Sequence, residues 1–547
     1  MKKKISLLII QIVICFSFTN ASTYYVDSNG NDAYTTAQAM NIATPWKTIK
    51  KAALMVVGGD VVLVRTGVYT GDIRLRIFGS ENNPITFKAY LDEKPIIDLK
   101  GNYPASEGDI IAWWFGVVNM LSDYNIIDGF EIRNGTGGTK GSGGGQGIVI
   151  NGNHNTVKNC IIHNIQDAGV RIKGSYETID SNQVYDACLN NLNSSGVDWG
   201  SGIAISGPNT GIQLTGNVIR NNIVHDVWGE GIYGYYGITN TLMEENIVYN
   251  SFALGIGLSG SINGIIRNNL VYKTSDFSGS TGGIAVVNDN TSTKQDICTN
   301  NLVCNNFIYG LSIFINRFKA SNTSQINDTR IYYNTLVNPE KQPLLLGGNQ
   351  NNTLIKNNIF VGLWNSTLNT SVAASSNNYW STIPPTGFGL SSNSDIIGDA
   401  SLYFAKYPGS VAAGQLTREW FSLTVNSPAI NHGVPLSEIS TDAFGTIRNT
   451  ITPEIGAYEY SINADVKNFT SPLFQLFPNP TKGNLTLELS ALQVGESVQI
   501  YNTMGKLIKE LNISSLCQQV NVNDLINGYY FIFLKNHPSQ TLKFIKQ

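Results

Sequence analysis

A glycine followed by an apolar residue recurs through the middle of this 547-residue chain and constrains its fold more than any other feature. The copies are 22 to 33 residues apart, and their glycines are Gly147, Gly169, Gly202, Gly231, Gly255, Gly283 and Gly310. A second marker, with forms such as "RNNIVHD" and "EENIVYN", runs in phase with the glycines. Periods of this length are typical of solenoids, in which no copy can bury its apolar face alone.

Each copy offers short alternating strands, and copies stacked about 4.8 Å apart pair every strand with the one above and below. The repeat therefore predicts an all-β parallel β-helix. The in-phase marker puts an asparagine at one turn position, where its amide can bond to the next asparagine in the stack. The predicted ladder comprises Asn182, Asn222, Asn246, Asn269, Asn301, Asn334 and Asn358, with Cys160 at that position in the first copy.

A second repeat position is filled by histidine or tyrosine. Its members are His163, Tyr185, His225, Tyr249 and Tyr272. A position shared in this way favours a stacked structural role over a catalytic one, so His225 is not taken as a base.

Composition and the amino terminus indicate an exported protein. Charged residues are 14% of the chain, against about 25% in an average globular protein, and the net charge of −3 gives no basic face for nucleic acid. Residues 1–21 have the lysines, short apolar run and small-residue site of a signal peptide. No later segment is apolar enough to span a membrane. Five cysteines follow the signal, without a CxxC pair, so neither a disulfide framework nor a zinc site is indicated.

The stretches "YYVDSNGNDAYTT", "PWKTIKKAALMVVGGDVVLVRTGVYTG" and "NPITFKAYLDEKPIID" accompany the repeat. With it they resemble the right-handed, pectate-lyase-like parallel β-helix family of bacterial secreted proteins. The resemblance implies a single-stranded β-helix over residues 22–460. Its amino-terminal cap at about 22–100 would include a short helix such as Pro45–Val57, and residues 426–460 resemble the closing module of such proteins.

Residues 461–472 read as a linker, and 473–547 read as a small β-sandwich with period-two leucines and Asn-Pro-Thr-Lys-Gly turn chemistry. The motif Phe477-Pro478-Asn479-Pro480 and the run Gly528-Tyr529-Tyr530 resemble the carboxy-terminal sorting domain of the type IX secretion system of Bacteroidetes. The resemblance implies the type IX secretion machinery as a partner. It also implies a protein that is secreted or attached to the outer cell surface.

Alternation along the strands predicts which side chains point outward. Arg171 and Lys173 on one coil and Tyr233 and Tyr235 on another are expected to share one face. Lys173 and Tyr235 would lie two coils apart, roughly 10 Å. That separation leaves room for about one or two sugar rings, so the face is a candidate substrate groove.

The loops before these strands carry further candidates. The longest loop contains Asp198 and Trp199, and the next contains Asp226, Trp228 and Glu230. The two tryptophans would form plates on which sugar rings stack. Asp226 and Tyr235 are further candidates for substrate binding.

Two chemistries and a non-catalytic alternative fit this set. In β-elimination from a uronic-acid glycan, a cation neutralises the carboxylate, a Lys, Arg or Tyr base abstracts the proton and an acid serves the leaving oxygen. Arg171, Lys173 and Tyr233 could fill these roles, with calcium held by acidic residues such as Asp198. In glycoside hydrolysis, Asp198 and Glu230 would act with Asp226 as paired carboxylates. A surface β-helix that only binds glycan is the third possibility.

A resemblance to family 9 polysaccharide lyases bears on calcium. Members of that family carry an Asp-Asp-Gly-x-Asp-like run for calcium, and the corresponding run here is Ser194-Ser195-Gly196-Val197-Asp198. Only Asp198 matches, so the sequence offers a single candidate calcium ligand. Elimination is the first hypothesis and hydrolysis the second.

Overall fold

The structure is a computed structural model, and the part of the chain that it describes comprises residues 21–101, 116–135, 145–192, 200–206, 213–279, 282–288, 297–316, 325–338, 342–347, 350–362, 375–381, 394–407, 409–460, 474–489, 497–502, 506–515, 517–535 and 537–547. The chain divides into two compact units, Met1–Tyr460 and Ser461–Gln547.

The first unit is a solenoid of parallel strands, in which successive coils add one strand to each of several sheets. Sheet 1 contains Thr23–Val26, Val61–Val64, Ile85–Ala89, Asn125–Asp128, Thr156–Lys158, Thr178–Asp180, Val218–Arg220, Leu242–Glu244, Ile265–Arg267, Leu302–Cys304, Arg330–Tyr332, Leu354–Lys356 and Ser375–Ser376. Sheet 2 contains Val68–Thr70, Ile96–Asp98, Glu131–Gly135, Ile161–Ile165, Gln183–Ala187, Ile223–Val227, Ile247–Ser251, Leu270–Tyr272, Phe307–Tyr309, Thr335–Asn338, Ile359–Gly362, Tyr379–Trp380 and Ile396–Ile397.

Sheet 3 follows sheet 2 in each coil. It contains Ile73–Leu75, Gly116–Met120, Gln146–Ile150, Val170–Ile172, Ser201–Ser206, Glu230–Tyr235, Leu254–Ser259, Gly282–Val287, Ile313–Asn316 and Leu344–Leu346. A narrow sheet 4 then contains Leu214–Thr215, Ile238–Thr239, Ser261–Ile262, Cys298–Thr299, Ile326–Asn327 and Gln350–Asn351. The predicted all-β parallel β-helix is confirmed.

Inward-pointing aliphatic side chains hold the coils together. On sheet 3, Val170 pairs with Ile203, Ile203 with Ile232, and Ile232 with Ile256, and all four side chains are fully buried. Burying one such side chain contributes about 1.5–3 kcal/mol. The glycine-apolar mark of the sequence is therefore the inner column of sheet 3.

Two short helices close the amino-terminal end of the solenoid. Thr36–Ala39 begins with a capping box between Thr35 and Gln38. Ile49–Met55 begins at Thr48, whose hydroxyl accepts the Lys51 N–H at 3.0 Å, and it buries one face against the core. This second helix is shorter than the predicted Pro45–Val57 segment because the cap at Thr48 fixes its first turn.

The asparagine ladder forms at the turn between sheets 1 and 2. Asn222, for example, donates both its backbone N–H and its side-chain amide to Asn246 Oδ1, each at 3.0 Å. Cys160 occupies the first position and donates its N–H to Asn182 Oδ1 at 3.0 Å. The ladder runs through Asn182, Asn222, Asn246, Asn269, Asn306, Asn334, Asn358 and Asn378.

Asn301 was predicted for this ladder, and that assignment is wrong. Asn306 takes the place, and Asn301 lies at the turn before sheet 1, where it accepts the Gly264 N–H at 2.9 Å and donates to the Ser261 carbonyl at 3.0 Å. The coil contains two Asn-Asn-apolar motifs, "NNLV" and "NNFI", one at each turn. Only the strand register, which pairs Leu270 with Phe307, identifies the second motif as the ladder position.

The repeat of histidine and tyrosine forms a stack on the outer surface of sheet 2, as predicted. Ring centroids of His163 and Tyr185, Tyr185 and His225, His225 and Tyr249, and Tyr249 and Tyr272 are 4.8, 5.1, 4.8 and 4.9 Å apart. These separations match the spacing of paired strands. His225 is thus part of a structural column.

The end of the first unit folds back over sheet 2. Residues 400–460 include the 3₁₀ helices Ala400–Tyr403 and Arg418–Phe421. Their apolar side chains form one core with the last coils: Phe421 stacks on Phe307, with ring centroids 5.7 Å apart. The Gly414 N–H donates to the Tyr272 hydroxyl at 3.0 Å, at the end of the aromatic stack.

The second unit consists of antiparallel strands. One sheet contains Phe474–Phe477, Asn484–Leu489 and Cys517–Asn521, and the other contains Ser497–Asn502, Leu507–Asn512, Gly528–Leu534 and His537–Lys546. Leu485, Leu487, Ile500, Val520 and Ile532 belong to its fully buried core. In the first unit, a 3₁₀ helix, Leu189–Asn191, is the remaining short helical element of the described residues.

One position in a second polar ladder, at the turn before sheet 1, is a carboxylic acid. The backbone N–H of Asn125 donates to Asn155 Oδ1 at 2.8 Å, the backbone N–H of Asn155 donates to Glu177 Oε2 at 2.7 Å, and the backbone N–H of Glu177 donates to Asn217 Oδ1 at 2.9 Å. Glu177 is fully buried, and burial is the main cause that raises its pKa to about 9. At neutral pH the native state therefore holds a protonated glutamic acid in this ladder.

Glu177→Gln is expected to remove a decline of stability with pH. The unfolded chain releases this proton near the ordinary pKa of 4.5, whereas the native state holds it up to about pH 9. Between these values the unfolded state binds fewer protons, so the free energy of unfolding falls as the pH rises. Glutamine has nearly the same shape and no charge to lose. Thermal midpoints measured at several pH values check the slope, with the exposed Glu245→Gln as control, and an unchanged slope in Glu177→Gln would contradict the prediction.

Candidate functional site

The outer face of sheet 3 brings several predicted residues to one register. Arg171 pairs with Ala204, and Ala204 pairs with Tyr233 on the next coil. Ser206 pairs with Tyr235 two positions further along. The sheet 3 positions of Arg171, Ala204, Ser206, Tyr233 and Tyr235 thus lie along one face on three successive coils, as the alternation predicts.

Arg171 is held by residues from its own coil and from the two adjacent coils. Its Nε donates to Gln146 Oε1 at 2.6 Å, and its Nη1 donates to Ser206 Oγ at 2.9 Å. Its Nη2 contacts both carboxylate oxygens of Asp167, at 3.1 and 3.0 Å. Charge-assisted bidentate contacts of this kind fix the guanidinium plane. Arg171 therefore supplies a fixed positive charge on the outer face of sheet 3.

Lys173 lies two residues beyond Arg171 on the same side of the coil. Its backbone N–H donates to the Ile150 carbonyl at 2.8 Å. Burial lowers the pKa of the Lys173 amine, the Arg171 charge lowers it further, and Asp167 opposes the shift; the result is a pKa of about 7. A substantial fraction of this lysine is consequently a neutral amine at neutral pH.

Glu230 and Tyr235 form a second polar group on this face. The Tyr235 hydroxyl donates to Glu230 Oε2 at 2.9 Å and lies 3.1 Å from Ser201 Oγ, which itself lies 3.3 Å from Glu230 Oε2. Burial and the Glu230 charge raise the pKa of Tyr235 well above its ordinary value. Glu230 is only 4% exposed, and both hydroxyl groups contact its Oε2 atom.

Tyr233 is 3% exposed and belongs to a small apolar cluster on this face with Leu254, Ala285 and Val287. Its ring centroid lies 4.7 Å from that of Tyr235. The structure therefore gives Tyr233 a packing environment.

Asp226 belongs to sheet 2 and is engaged there. It contacts His225 Nδ1 at 2.7 Å and accepts the Asn250 side-chain amide at 2.9 Å. Burial alone would raise the pKa of Asp226, but these hydrogen bonds outweigh it, and the pKa lies below its ordinary value. Asp226 is thus held by neighbours on sheet 2, whereas Glu230 is held by Tyr235 on sheet 3.

Trp228 lies at the corner between sheets 2 and 3. Its ring is partly buried against the main core and lies 6.3 Å, centroid to centroid, from Phe252. Its carbonyl accepts the Asn191 side-chain amide at 2.9 Å. Asp198 and Trp199, the remaining predicted residues, lie outside the described residues.

Three residues of this site were missed by sequence reasoning: Gln146, Asp167 and Ser201. A signal exists for two of them, because Gln146 and Ser201, like Glu230, stand immediately before the glycine of the glycine-apolar pair. A polar residue at that position begins a sheet 3 strand and reaches the outer face. Asp167 carries no such repeat signal.

The described acidic residues of this face do not fit a calcium site. Among the residues that the structure describes, no group of three or more His, Cys, Asp or Glu side chains could hold a metal ion. Asp167 is paired with Arg171, and Glu230 accepts a hydrogen bond from Tyr235. Calcium prefers six to eight oxygen ligands, which these two carboxylates cannot supply.

Comparison with known families identifies the first unit. The family model described as the Pel9A-like, right-handed β-helix region matches residues 24–341, more than half of the chain. The chain belongs to this Pel9A-like β-helix family. The predicted handedness and the resemblance to pectate-lyase-like proteins are thereby confirmed.

The second unit also matches a known family. The model of the secretion system C-terminal sorting domain covers residues 475–547. The chain carries a type IX sorting domain and is a protein secreted or attached to the outer cell surface, as predicted. In the described part of the chain, every helix is too short or too polar to cross a membrane.

Individual relatives are distant. Pectate lyase L of Dickeya chrysanthemi is 26% identical over 172 residues, which are 30% of this chain and 36% of that protein. β-Agarase A of Zobellia galactanivorans is 28% identical over 67 residues, 12% of each chain. The chain thus spans about a third or less of the length of these curated relatives.

Solved structures that resemble the chain are also distant from it in sequence. The crystal structure of pectate lyase Pel9A is 18% identical, with 81% of this chain and 98% of that one covered and a TM-score of 0.47. An alginate lyase from Paenibacillus sp. str. FPU-7 is 17% identical, with 55% and 96% covered and a TM-score of 0.41.

Proposed function

We propose that this protein is a polysaccharide lyase that cleaves a uronic-acid-containing glycan by β-elimination, with Lys173 as the base. The observation that carries the proposal is the place of Lys173, two residues beyond Arg171 at the end of a sheet 3 strand, where burial and the Arg171 charge lower the pKa of its amine to about 7. A general base works best when its pKa lies near the working pH. An ordinary lysine, with a pKa of about 10.4, is almost fully protonated there.

The reaction follows from this amine. Neutral Lys173 takes the proton at C5, beside the carboxylate of the uronate. The C–H electron pair forms a C4–C5 double bond, and the bond from C4 to the glycosidic oxygen breaks. Protonated Lys173 then returns the proton to the leaving oxygen, so that atoms and charge balance. A group with a pKa near neutrality suits both transfers.

Arg171 supports the reaction through its charge. Its donors are occupied by Gln146, Ser206 and Asp167, so we assign it to lowering the pKa of Lys173 and stabilising negative charge that develops nearby. Glu230 and Tyr235 form a polar group further along the groove, where we expect them to bind sugar hydroxyls. No step of this reaction involves calcium, and a calcium requirement through Asp198 stays a prediction for the assay.

Hydrolysis by paired carboxylates receives less support. A hydrolase needs two carboxyl groups on opposite sides of one glycosidic bond. Asp226 is bound to His225 and Asn250 on sheet 2, whereas Glu230 begins a sheet 3 strand and accepts from Tyr235. Elimination is therefore the function that we favour.

The expected result with polygalacturonate or alginate is a product with the ultraviolet absorbance of a conjugated double bond. Because the reactive form of Lys173 is neutral, kcat/KM should rise with pH and level off above about 7. Assays with added calcium and with chelator measure its contribution. New reducing ends without absorbance would indicate hydrolysis, and binding without either product would indicate a non-catalytic glycan-binding protein.

A further inference from the structure

Three aromatic rings line the corner between sheets 2 and 3 on successive coils. We call Trp228, Phe252 and Phe277 the aromatic strip. Trp228 and Phe252 hold equivalent turn positions, because each follows a paired residue of sheet 2, Val227 and Ser251. Their ring centroids are 6.3 Å apart. Phe252 is 45% exposed, and Trp228 and Phe277 are partly exposed.

Gly279 leaves space around the two phenylalanine rings. A Cβ atom at this position would come within 2.7 Å of Phe277 Cε1 and 3.3 Å of Phe252 Cδ2. The first distance is shorter than any ordinary contact, so a larger residue at 279 would displace the Phe277 ring. The two rings therefore converge on a residue without a side chain.

The strip borders the proposed groove. Trp228 lies two residues before Glu230, and Phe252 lies two residues before Leu254, which packs with Tyr233 on the outer face of sheet 3. Phe277 lies in the segment that leads to the next strand, Gly282–Val287. The strip thus starts beside the Glu230 group and continues along the solenoid axis, away from the coil that carries Lys173.

We propose that the aromatic strip is a binding site for pyranose rings of the same glycan chain, beyond the sugar that reacts at Lys173. This inference rests on the proposed function, because the strip has a substrate to hold only if the groove binds a polysaccharide. Aromatic faces take up the apolar faces of sugar rings, and this packing does not require a charge. Rings at successive coil heights suit an extended chain that lies along the axis. The strip sets the preference for long chains.

The test uses Phe252→Ala/Phe277→Ala in the full-length protein that also carries Lys173→Gln, so that the polymer is not degraded. Native affinity electrophoresis with polygalacturonate and with alginate gives the dissociation constants. For the polymer that retards the parent most, the dissociation constant should rise about tenfold in the double variant. Phe252→Trp should retain the parent affinity. Phe78→Ala, which removes another exposed phenylalanine, is the matched control and should have no effect.

Equal affinities of the double variant and Phe78→Ala for the polymer would overturn the proposal. A parent protein that neither polymer retards would overturn it as well. If the parent is a dimer in solution and the double variant is a monomer with unchanged affinity, the strip is a contact between two copies, and the proposal is overturned as well. Retardation that depends on the strip, together with no unsaturated product from the protein that keeps Lys173, would support the strip and contradict the lyase. Elimination by the protein that keeps Lys173, with unchanged polymer affinity in the double variant, would support the lyase and contradict the strip.

Discussion

Lys173→Gln is expected to lower turnover of the cleaved polysaccharide by about 10²–10⁴-fold, the range that a positioned general base contributes. Glutamine keeps much of the length and polarity of the side chain but cannot accept the C5 proton. Because the substitution spares the aromatic strip and the Glu230 group, the dissociation constant for the polymer should change little. The measurements are initial rates of unsaturated-product formation and binding by affinity electrophoresis.

Lys158→Gln is the matched control for this substitution. Lys158 lies on sheet 1, within the same part of the solenoid, and its Nζ is 3.6 Å from Asp128 Oδ2. Lys158 faces away from sheet 3, so the rate of product formation by Lys158→Gln should equal that of the wild type. A Lys173→Gln protein that retains near-normal turnover would remove Lys173 from the reaction, and equal losses in both variants would point to a general defect in folding.

Arg448→Met is expected to lower the free energy of unfolding by about 3–5 kcal/mol, because it leaves a buried acid without its partner. Arg448 is nearly inaccessible, and its Nη1 donates to Glu459 Oε2 at 3.0 Å. Its Nη2 donates to Asn305 Oδ1 at 2.9 Å and to the Gly456 carbonyl at 3.0 Å. The guanidinium carbon lies 3.8 Å from the centre of the Tyr333 ring. One side chain therefore fastens residues 400–460 to the coils beneath.

The comparison variant is Arg220→Met. Arg220 donates to Asp180 Oδ2 at 2.8 Å on the solenoid surface, and its side chain is 46% exposed. Exposed pairs of this kind contribute at most about 1 kcal/mol. Urea unfolding of both variants measures the difference. Similar midpoints for Arg448→Met and Arg220→Met would show that the buried pair does not hold the closing segment.

Much of the solenoid could be predicted because the burial pattern is written into each repeat. The inner positions Ile203 and Ile232 and the stacked rings His225 and Tyr249 follow from in-phase alignment alone. The prediction of the ladder was wrong at Asn301 because both turns of that coil carry the same Asn-Asn-apolar motif. Loop lengths between coils differ, so local sequence could not decide which motif belongs to which turn.

The candidate site was less predictable. The sequence identified Arg171 and Lys173 as neighbours on one face, but it gave Arg171 no partners. Gln146 and Ser206, 25 and 35 residues away, reach Arg171 only because adjacent coils stack in one register. The pKa of Lys173 likewise depends on burial and on the nearby charge of Arg171. Neither property is encoded in spacing along the chain.

The sequence by itself determined that the first unit is a β-solenoid, because its period repeats with every coil, and the motifs within residues 473–547 indicated a sorting domain by resemblance. The tertiary structure alone decided which polar side chains became partners and which stayed apart. It placed Glu230 beside Ser201 and Asp226 beside Asn250, each a full coil away in sequence, although the two acids are only four residues apart. The physical reason is that a coil turns a corner between sheets 2 and 3, so residues adjacent in sequence face different surfaces, while residues a full coil apart lie within hydrogen-bonding distance.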